Sequence, residues 1–361
     1  MPANASAAPQ RRPLVIAVTA AVICAACAAG DSGGAADLFD IRLPPPTVLV
    51  SLESELIGYP SDIDVDAAGR VWVADWRSKR LLVVDPAGGD PLLIGREGAG
   101  PGEFGAPARL AAGDALIHVI DAGNSRVQQY RLDGAHVADH WIGDGLIGAG
   151  AVSRYGDVVA PTSGRDSALA RVYALADSTR RRVGEPLVPW SPWDFPAMKS
   201  EIAQGRVPEQ FRNEVALAFG ADGTIWLLVQ TEAEVRRYDA DGRLVWSRVL
   251  DVPEIEEARR EFFRRNAEEE NPAVIVPLRT MAAAREVGDK LWVLMHGEAG
   301  RRLAVFYILD RETGDIVGRV TAEVPDAVNR FAVDTVRSKL YLTVPAEASV
   351  LVVDGARVLS P

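Results

Sequence analysis

The sequence predicts a repeated all-β architecture, and three observations point to it. Of 361 residues, 48% are hydrophobic and 25% charged, the balance of an ordinary globular chain and not of a disordered, collagenous or multi-span membrane protein. A short strand motif then recurs six times, at residues 69–75 (GRVWVAD), 115–121 (ALIHVID), 156–160 (GDVVA), 223–228 (GTIWLL), 289–294 (DKLWVL) and 338–343 (SKLYLT). Each copy also has similar flanks. A hydrophobic run precedes it, as at residues 62–66, 215–219 and 330–334, and another follows, as at 80–85, 126–130, 235–239 and 350–354. Turns such as Asp133-Gly134 and Asp241-Gly242 lead into a fourth run. Short β-branched and aromatic strands between Gly and Asp turns form antiparallel meanders. Six four-stranded meanders at a period of about 40–50 residues make a six-bladed β-propeller.

The first residues read as an address. Arg11 and Arg12 precede the apolar run 14–23 (LVIAVTAAVI), and small residues follow to Cys27, which is the plan of a secretory signal peptide. A spanning helix needs about 20 apolar residues, whereas residues 14–30 provide seventeen uncharged positions, many of them alanine. Ala25 and Ala26 before Cys27 resemble a bacterial lipoprotein lipobox, with Cys24 standing where that family usually has Leu. The resemblance implies removal of residues 1–26, lipidation of Cys27, and an exported chain held at the cell envelope, facing the periplasm, by its lipid alone. Ordinary signal-peptide cleavage near Ala28 or Ala29 is the alternative. Loss of Arg11 and Arg12 takes the net charge from −11 to −13. That acidity disfavours nucleic acid, whose phosphates need a basic face. Residues 27–46, small, polar and Pro-rich, read as a flexible tether, and residues 47–361 as the propeller. With Cys24 removed and Cys27 lipidated, no disulfide is left, so stability must come from burial.

Residues 98–104 (GAGPGEF), Pro107 and residues 119–130 (VIDAGNSRVQQY) closely resemble an NHL repeat: a Gly-rich loop, a strand ending in Asp, and an Asn-x-Arg-Val step into the next strand. Residues 75–81 are a looser copy, with Ser78 in place of Asn. The motif match covers about residues 60–135, and the later blades rest on periodicity. As a whole the chain resembles NHL-repeat-like six-bladed β-propeller lipoproteins of bacteria. Because Asp75 and Asp121, with Arg80 and Arg126, recur from blade to blade, they read as pairs that lock turns and not as catalytic groups. Residues 47–52 are expected to close the ring as the outer strand of the last blade, removing an open edge; residues 356–359 compete for that place.

Two spacings between copies are long: 68 residues from Asp157 to Ile225 and 66 from Ile225 to Leu291. The extra residues lie at about 185–213 and 251–279, between a fourth strand and the next first strand, so both insertions should sit on one face. The first joins prolines to Trp190, Trp193 and Phe195, as an aromatic wall or a plug of the channel mouth. The second predicts a helix with Asp251 as N-cap, Pro253 near N1 and Glu254 at N3. Ile255, Ala258 and Phe262 should form its docking stripe, with Glu256/Arg260 and Glu261/Arg265 paired on the exposed side.

Catalytic constellations are scarce. No Gly-x-Ser-x-Gly elbow, P-loop or Cys nucleophile is present. Of four histidines, His118 reads as structural, His136 and His140 fall on an outer strand, and only His296 falls where a channel-mouth ligand could reach it. Some NHL-type propellers and streptogramin lyases depend on channel histidines, and three cannot be assembled here. Gluconolactonase-type propellers bind Ca²⁺ through channel oxygens, for which Asp62, Asn213, Asn329 and Asp334 are the candidates. The sequence therefore predicts a monomeric, non-catalytic module without a cofactor, binding an envelope protein or a small-molecule or glycan ligand. Its expected contact residues are Trp76, Arg77, Trp190, Trp193, His296 and Arg330. The alternative is a Ca²⁺- or Zn²⁺-dependent lactonase or lyase with its site at the channel mouth.

Overall fold

The recurring motif becomes the second strand of every blade, and it is buried because a blade lies against each of its faces. A computed structural model describes residues 39–143, 149–297 and 300–359. The signal peptide and Cys27 lie outside the described residues. The chain opens with β1 (Phe39–Arg42) and β2 (Thr47–Val50). Blade one is β3 (Pro60–Val65), β4 (Val71–Asp75), β5 (Arg80–Val84) and β6 (Leu92–Ile94). Blade two is β7 (Pro107–Ala112), β8 (Leu116–Asp121), β9 (Arg126–Arg131) and β10 (His136–Trp141). Blade three is β11 (Ala151–Val152), β12 (Val158–Pro161), β13 (Ala170–Tyr173) and β14 (Arg180–Val183). Helix α1 (Phe195–Ala203) leads to blade four: β15 (Val215–Phe219), β16 (Ile225–Val229), β17 (Glu234–Tyr238) and β18 (Leu244–Val249). After helix α2 (Pro253–Glu268), blade five is β19 (Met281–Val287), β20 (Lys290–Met295), β21 (Leu303–Asp310) and β22 (Ile316–Glu323). Blade six is β23 (Arg330–Asp334), β24 (Lys339–Val344) and β25 (Ser349–Asp354), and a helical turn α3 (Ala356–Leu359) ends the described chain.

The four strands of each blade pair antiparallel, with the first strand of each innermost. The core is a ring of six apolar layers, one between each pair of neighbouring blades. One position repeats in them. Trp72, His118, Trp226, Trp292 and Tyr341 each stand three residues before the end of a second strand, and all are buried. Burying such a side chain is worth about 1.5–3 kcal/mol for an aliphatic group and more for a ring.

The ring closes as expected: β2 pairs with β25 and is the outer strand of blade six. Residues 356–359 form the turn α3 and not a competing strand; Gly355 N–H bonds back to Ser338 O at 2.8 Å and turns the chain inward. Residues 39–43, part of the segment expected as a tether, belong instead to blade five: β1 pairs in parallel with β22 as a fifth strand, and Leu43 is buried beside it. The physical reason is the otherwise open edge of β22, which this segment covers.

The helical insertion starts one residue later than its sequence suggests. Val252 is the N-cap and makes no side-chain cap bond. Glu254 turns inward, where its carboxylate accepts from Tyr307 Oη at 2.8 Å and Arg319 Nη2 at 3.0 Å. Ile255 and Phe262 are buried, whereas Ala258 is only half-buried. On the exposed side Glu256 meets Arg259, one residue before the expected Arg260, and Arg264 bridges Glu261 and Glu268. The first insertion, in contrast, carries a helix that its prolines concealed. Asp194 caps α1 by accepting from Ala197 N at 3.1 Å. Met198 and Ile202 of α1 pack with Phe211, Phe262, Ile275 and Leu278, so the two insertions share one small core. Among the described residues no helix is long and apolar enough to cross a membrane.

Candidate functional site

Five of the six inner strands place one residue each at the same depth in the channel, opposite the penultimate residue of the second strand. Register assigns this layer to Asp62, Arg109, Ala216, Ala283 and Arg330. Blades six, one and two thus present an Arg–Asp–Arg arc, and blades four and five face it with alanines. All five line a channel cavity of about 380 Å³. Asp62 sits between the arginines: one oxygen accepts Leu110 N–H at 3.0 Å, and the other lies 3.9 Å from Arg330 Nε. Arg330 also donates to Ala282 O at 2.8 Å and Asn329 O at 2.7 Å, which fixes its position. Arg109 bonds only the neighbouring Ala108 O, at 2.7 Å, and has no carboxylate partner among the described residues.

Above this layer the channel widens into a mouth cavity of about 1110 Å³. Its wall comes from loops joining second to third strands, which supply Trp76, Gln230 and His296, and from connections between blades, which supply Tyr59, Glu214 and Arg279. Both insertions reach it, through Trp193 and Phe211 from the first and Pro277 to Arg279 from the second. Trp76 meets Tyr59 edge-on at 6.0 Å, with Lys79 Nζ 4.2 Å from its ring centre. Across the opening Trp193 packs edge-on against Phe211 at 5.5 Å.

Electrostatics distinguish this mouth from the rest of the surface. Burial, then repulsion from Arg109, holds the Arg330 guanidinium well below its ordinary value. Burial lowers Arg109 too, with Arg279 adding repulsion that Asp62 opposes. Glu214 accepts from Ser163 Oγ at 3.1 Å, and burial raises its pKa against the pull of that bond and of Arg279. Positive charge is thus crowded at the mouth, with Arg109 and Arg330 half-buried and Arg279 exposed, a state that favours a bound anion.

Four of the six expected contact residues line the mouth: Trp76, Trp193, His296 and Arg330. Arg77 and Trp190 do not. Arg77 folds over Gly58, where a Cβ would come within 3.2 Å of it, and its N–H joins the Asp75 turn. Trp190 is stacked under Arg165, whose guanidinium lies 5.1 Å from its ring centre. Sequence reasoning missed Tyr59, Arg109, Glu214 and Arg279. The available signal was the inner-strand register, which puts Arg109 at the depth of Arg330.

The candidate calcium oxygens do not converge. Asp62 serves the arginine arc, and Asn213 Oδ1 accepts Leu187 N–H at 2.9 Å within the first insertion. Asn329 bonds Thr343, and Asp334 holds Arg337 at 3.0 Å. Among the described residues no three His, Cys, Asp or Glu side chains come together to hold a metal ion. His118 is structural: its Nδ1 lies 3.3 Å from Gln129 Nε2, and burial lowers its pKa to about 4.

A family model, DUF5128, described as 6-bladed beta-propeller, matches residues 32–140. No curated protein matches the sequence. Among solved structures the chain is similar to a calcium-binding protein, regucalcin, from Agrobacterium tumefaciens, at 12% identity over 88% of this chain and 97% of that one, with a TM-score of 0.51. It is also similar to a catalytically inactive virginiamycin B lyase from Staphylococcus aureus with quinupristin, at 10% identity over 86% and 98% of the two chains, with a TM-score of 0.50. At such identities the likeness establishes the shared fold, a six-bladed β-propeller, and nothing about activity.

Proposed function

We propose that this chain is an exported, lipid-tethered propeller of the cell envelope that binds a small molecule in its channel mouth without transforming it. The envelope placement rests on the signal-like segment and Cys27. The binding reading rests on the mouth itself: about 1110 Å³, with aromatic side chains on opposite walls and a few polar groups converging at the base. Cavities that hold ligands have this construction, and both insertions, the parts that a bare propeller lacks, contribute to it. The metal-assisted alternative finds no cluster of three His, Cys, Asp or Glu side chains among the described residues.

The test is thermal unfolding of the full chain against a panel of envelope-type metabolites and glycans, with mass spectrometry of whatever compound stabilises it. The expected result is a stabilising compound recovered unchanged, whose effect is lost in Trp193→Ala. Conversion of that compound, abolished by Glu214→Gln, would replace the binding module with an enzyme. Equal stabilisation of wild type and Trp193→Ala would move the site away from the mouth.

A further inference from the structure

We infer that the ligand of the channel mouth is an organic acid: an apolar or aromatic body carrying a terminal carboxylate or phosphate, with the acid group held by Arg109, Arg279 and Arg330. This inference rests on the binding reading above and names the chemistry of the bound molecule.

Three observations carry it. First, all three arginines line the one cavity, although they come from blade two, the second insertion and blade six. Second, their charge is not matched within the protein. Arg109 and Arg279 form no ion pair among the described residues, and Asp62, which attracts Arg109 and lies 3.9 Å from Arg330, is also bonded to Leu110 N–H. Glu214, a carboxylate of the mouth wall, is bonded to Ser163 and attracts Arg279 without forming an ion pair with it. A guanidinium fork matches carboxylate and phosphate geometry, and burial strengthens such a bond. Third, the rest of the wall is suited to a body and not to a second charge. Tyr59, Trp76, Trp193 and Phe211 present ring faces and edges above the arginines. Ala216 and Ala282 leave room beside the acid group. The crowded arginines gain most from an anion whose apolar body also excludes water.

The experiment uses three probes with one shared body: 2-naphthoate, 2-naphthyl phosphate and the neutral 2-naphthalenemethanol, each titrated into the full chain by calorimetry. At least one acid should bind about tenfold more tightly than the alcohol, as one or two charge-assisted hydrogen bonds require. The tighter of the two acids identifies the head group as carboxylate or phosphate. Its affinity should fall with added salt and drop about tenfold in Arg279→Gln. That variant removes an exposed side chain that makes no hydrogen bond or ion pair among the described residues, so it should fold; Arg109→Gln provides a second reading. Arg330→Gln should weaken binding most but also removes bonds to Ala282 and Asn329, so its melting temperature is measured alongside. Equal binding of acid and alcohol overturns the acid assignment and leaves the binding module standing. Acid binding that survives both Arg279→Gln and Arg109→Gln overturns the arginine site, and failure of both acids to bind at millimolar concentration overturns the inference outright.

Discussion

Blades one and two solve the same mechanical problem as blades four and five, but with different chemistry. The problem is the backbone N–H groups exposed where a connection enters an inner strand. In blade two, Asp121 ends the second strand and accepts from Gly105 N and Ala106 N, both at 2.9 Å, and also from Asn124, Arg126 and Gln128. In blade one, Asp75 takes Gly58 N at 2.8 Å and Tyr59 N at 2.9 Å in the same way. Arg126 then clamps the Gly-rich loop through the carbonyls of Ala99, Gly100 and Glu103, and Arg80 grips those of Glu55 and Leu56. The Asp–Arg ion pair expected in both blades forms only in blade two, at 3.2 Å. At the start of blade five no acid is used. Gln230, from the blade before, accepts from Thr280 N at 2.8 Å and Met281 N at 3.2 Å. A charged latch within a blade and a neutral latch between blades leave the same strand geometry. The repeat signature therefore fades along the sequence without any loss of the architecture.

The sharpest way to break this comparison is to remove the charged latch. Asp121→Ala leaves Arg126 buried with only Asp139 as counterion and Gly105 N, Ala106 N and Arg126 Nε without an acceptor, so it should cost about 3–5 kcal/mol in urea unfolding. A loss below about 1 kcal/mol would mean that the carboxylate is ornamental and the two halves are held alike.

The next effect depends on pH. His118 occupies the ladder position where Trp72, Trp226, Trp292 and Tyr341 stand in other blades. Its folded pKa is lowered to about 4 from 6.5. The unfolded chain therefore takes up the proton first, and this group's contribution to stability is lost as pH falls from about 6.5 to about 4. The loss should approach about 3 kcal/mol across that window. His118→Phe restores the aromatic of the other blades and should remove this part of the acid sensitivity. Equal slopes for variant and wild type would show that some other group sets it.

The smallest effect belongs to the neutral latch. Gln230→Ala orphans two buried N–H groups without stranding a charge, so about 1–3 kcal/mol is expected. A cost equal to that of Asp121→Ala would erase the distinction between the two halves.

What could be read in the chain before folding follows the same division. The motif at residues 119–130 is legible because its Asp, Asn and Arg act on atoms a few residues away, so their spacing is a local requirement. Gln230 acts on Thr280, fifty residues on and beyond an insertion, and no spacing rule exposes it. Trp76, Trp193, His296 and Arg330 could be placed at the mouth because each lies at the end of a strand or in an insertion whose face the topology dictates. Arg77 and Trp190 share those segments, yet a single turn of backbone decides whether a side chain points to the channel or to a neighbouring loop.

The sequence by itself determined the number of blades, the strand order, the closing strand and the positions of both insertions, because alternation of apolar residues is a local and periodic property. Only the tertiary structure decided the binding chemistry. Arg109 and Arg330 stand 221 residues apart and meet through ring closure, with Arg279 brought beside them by an insertion. Each alone is an ordinary surface or strand cation. Their combined field exists only when the ring has closed, since charges act on one another strongly only at short range.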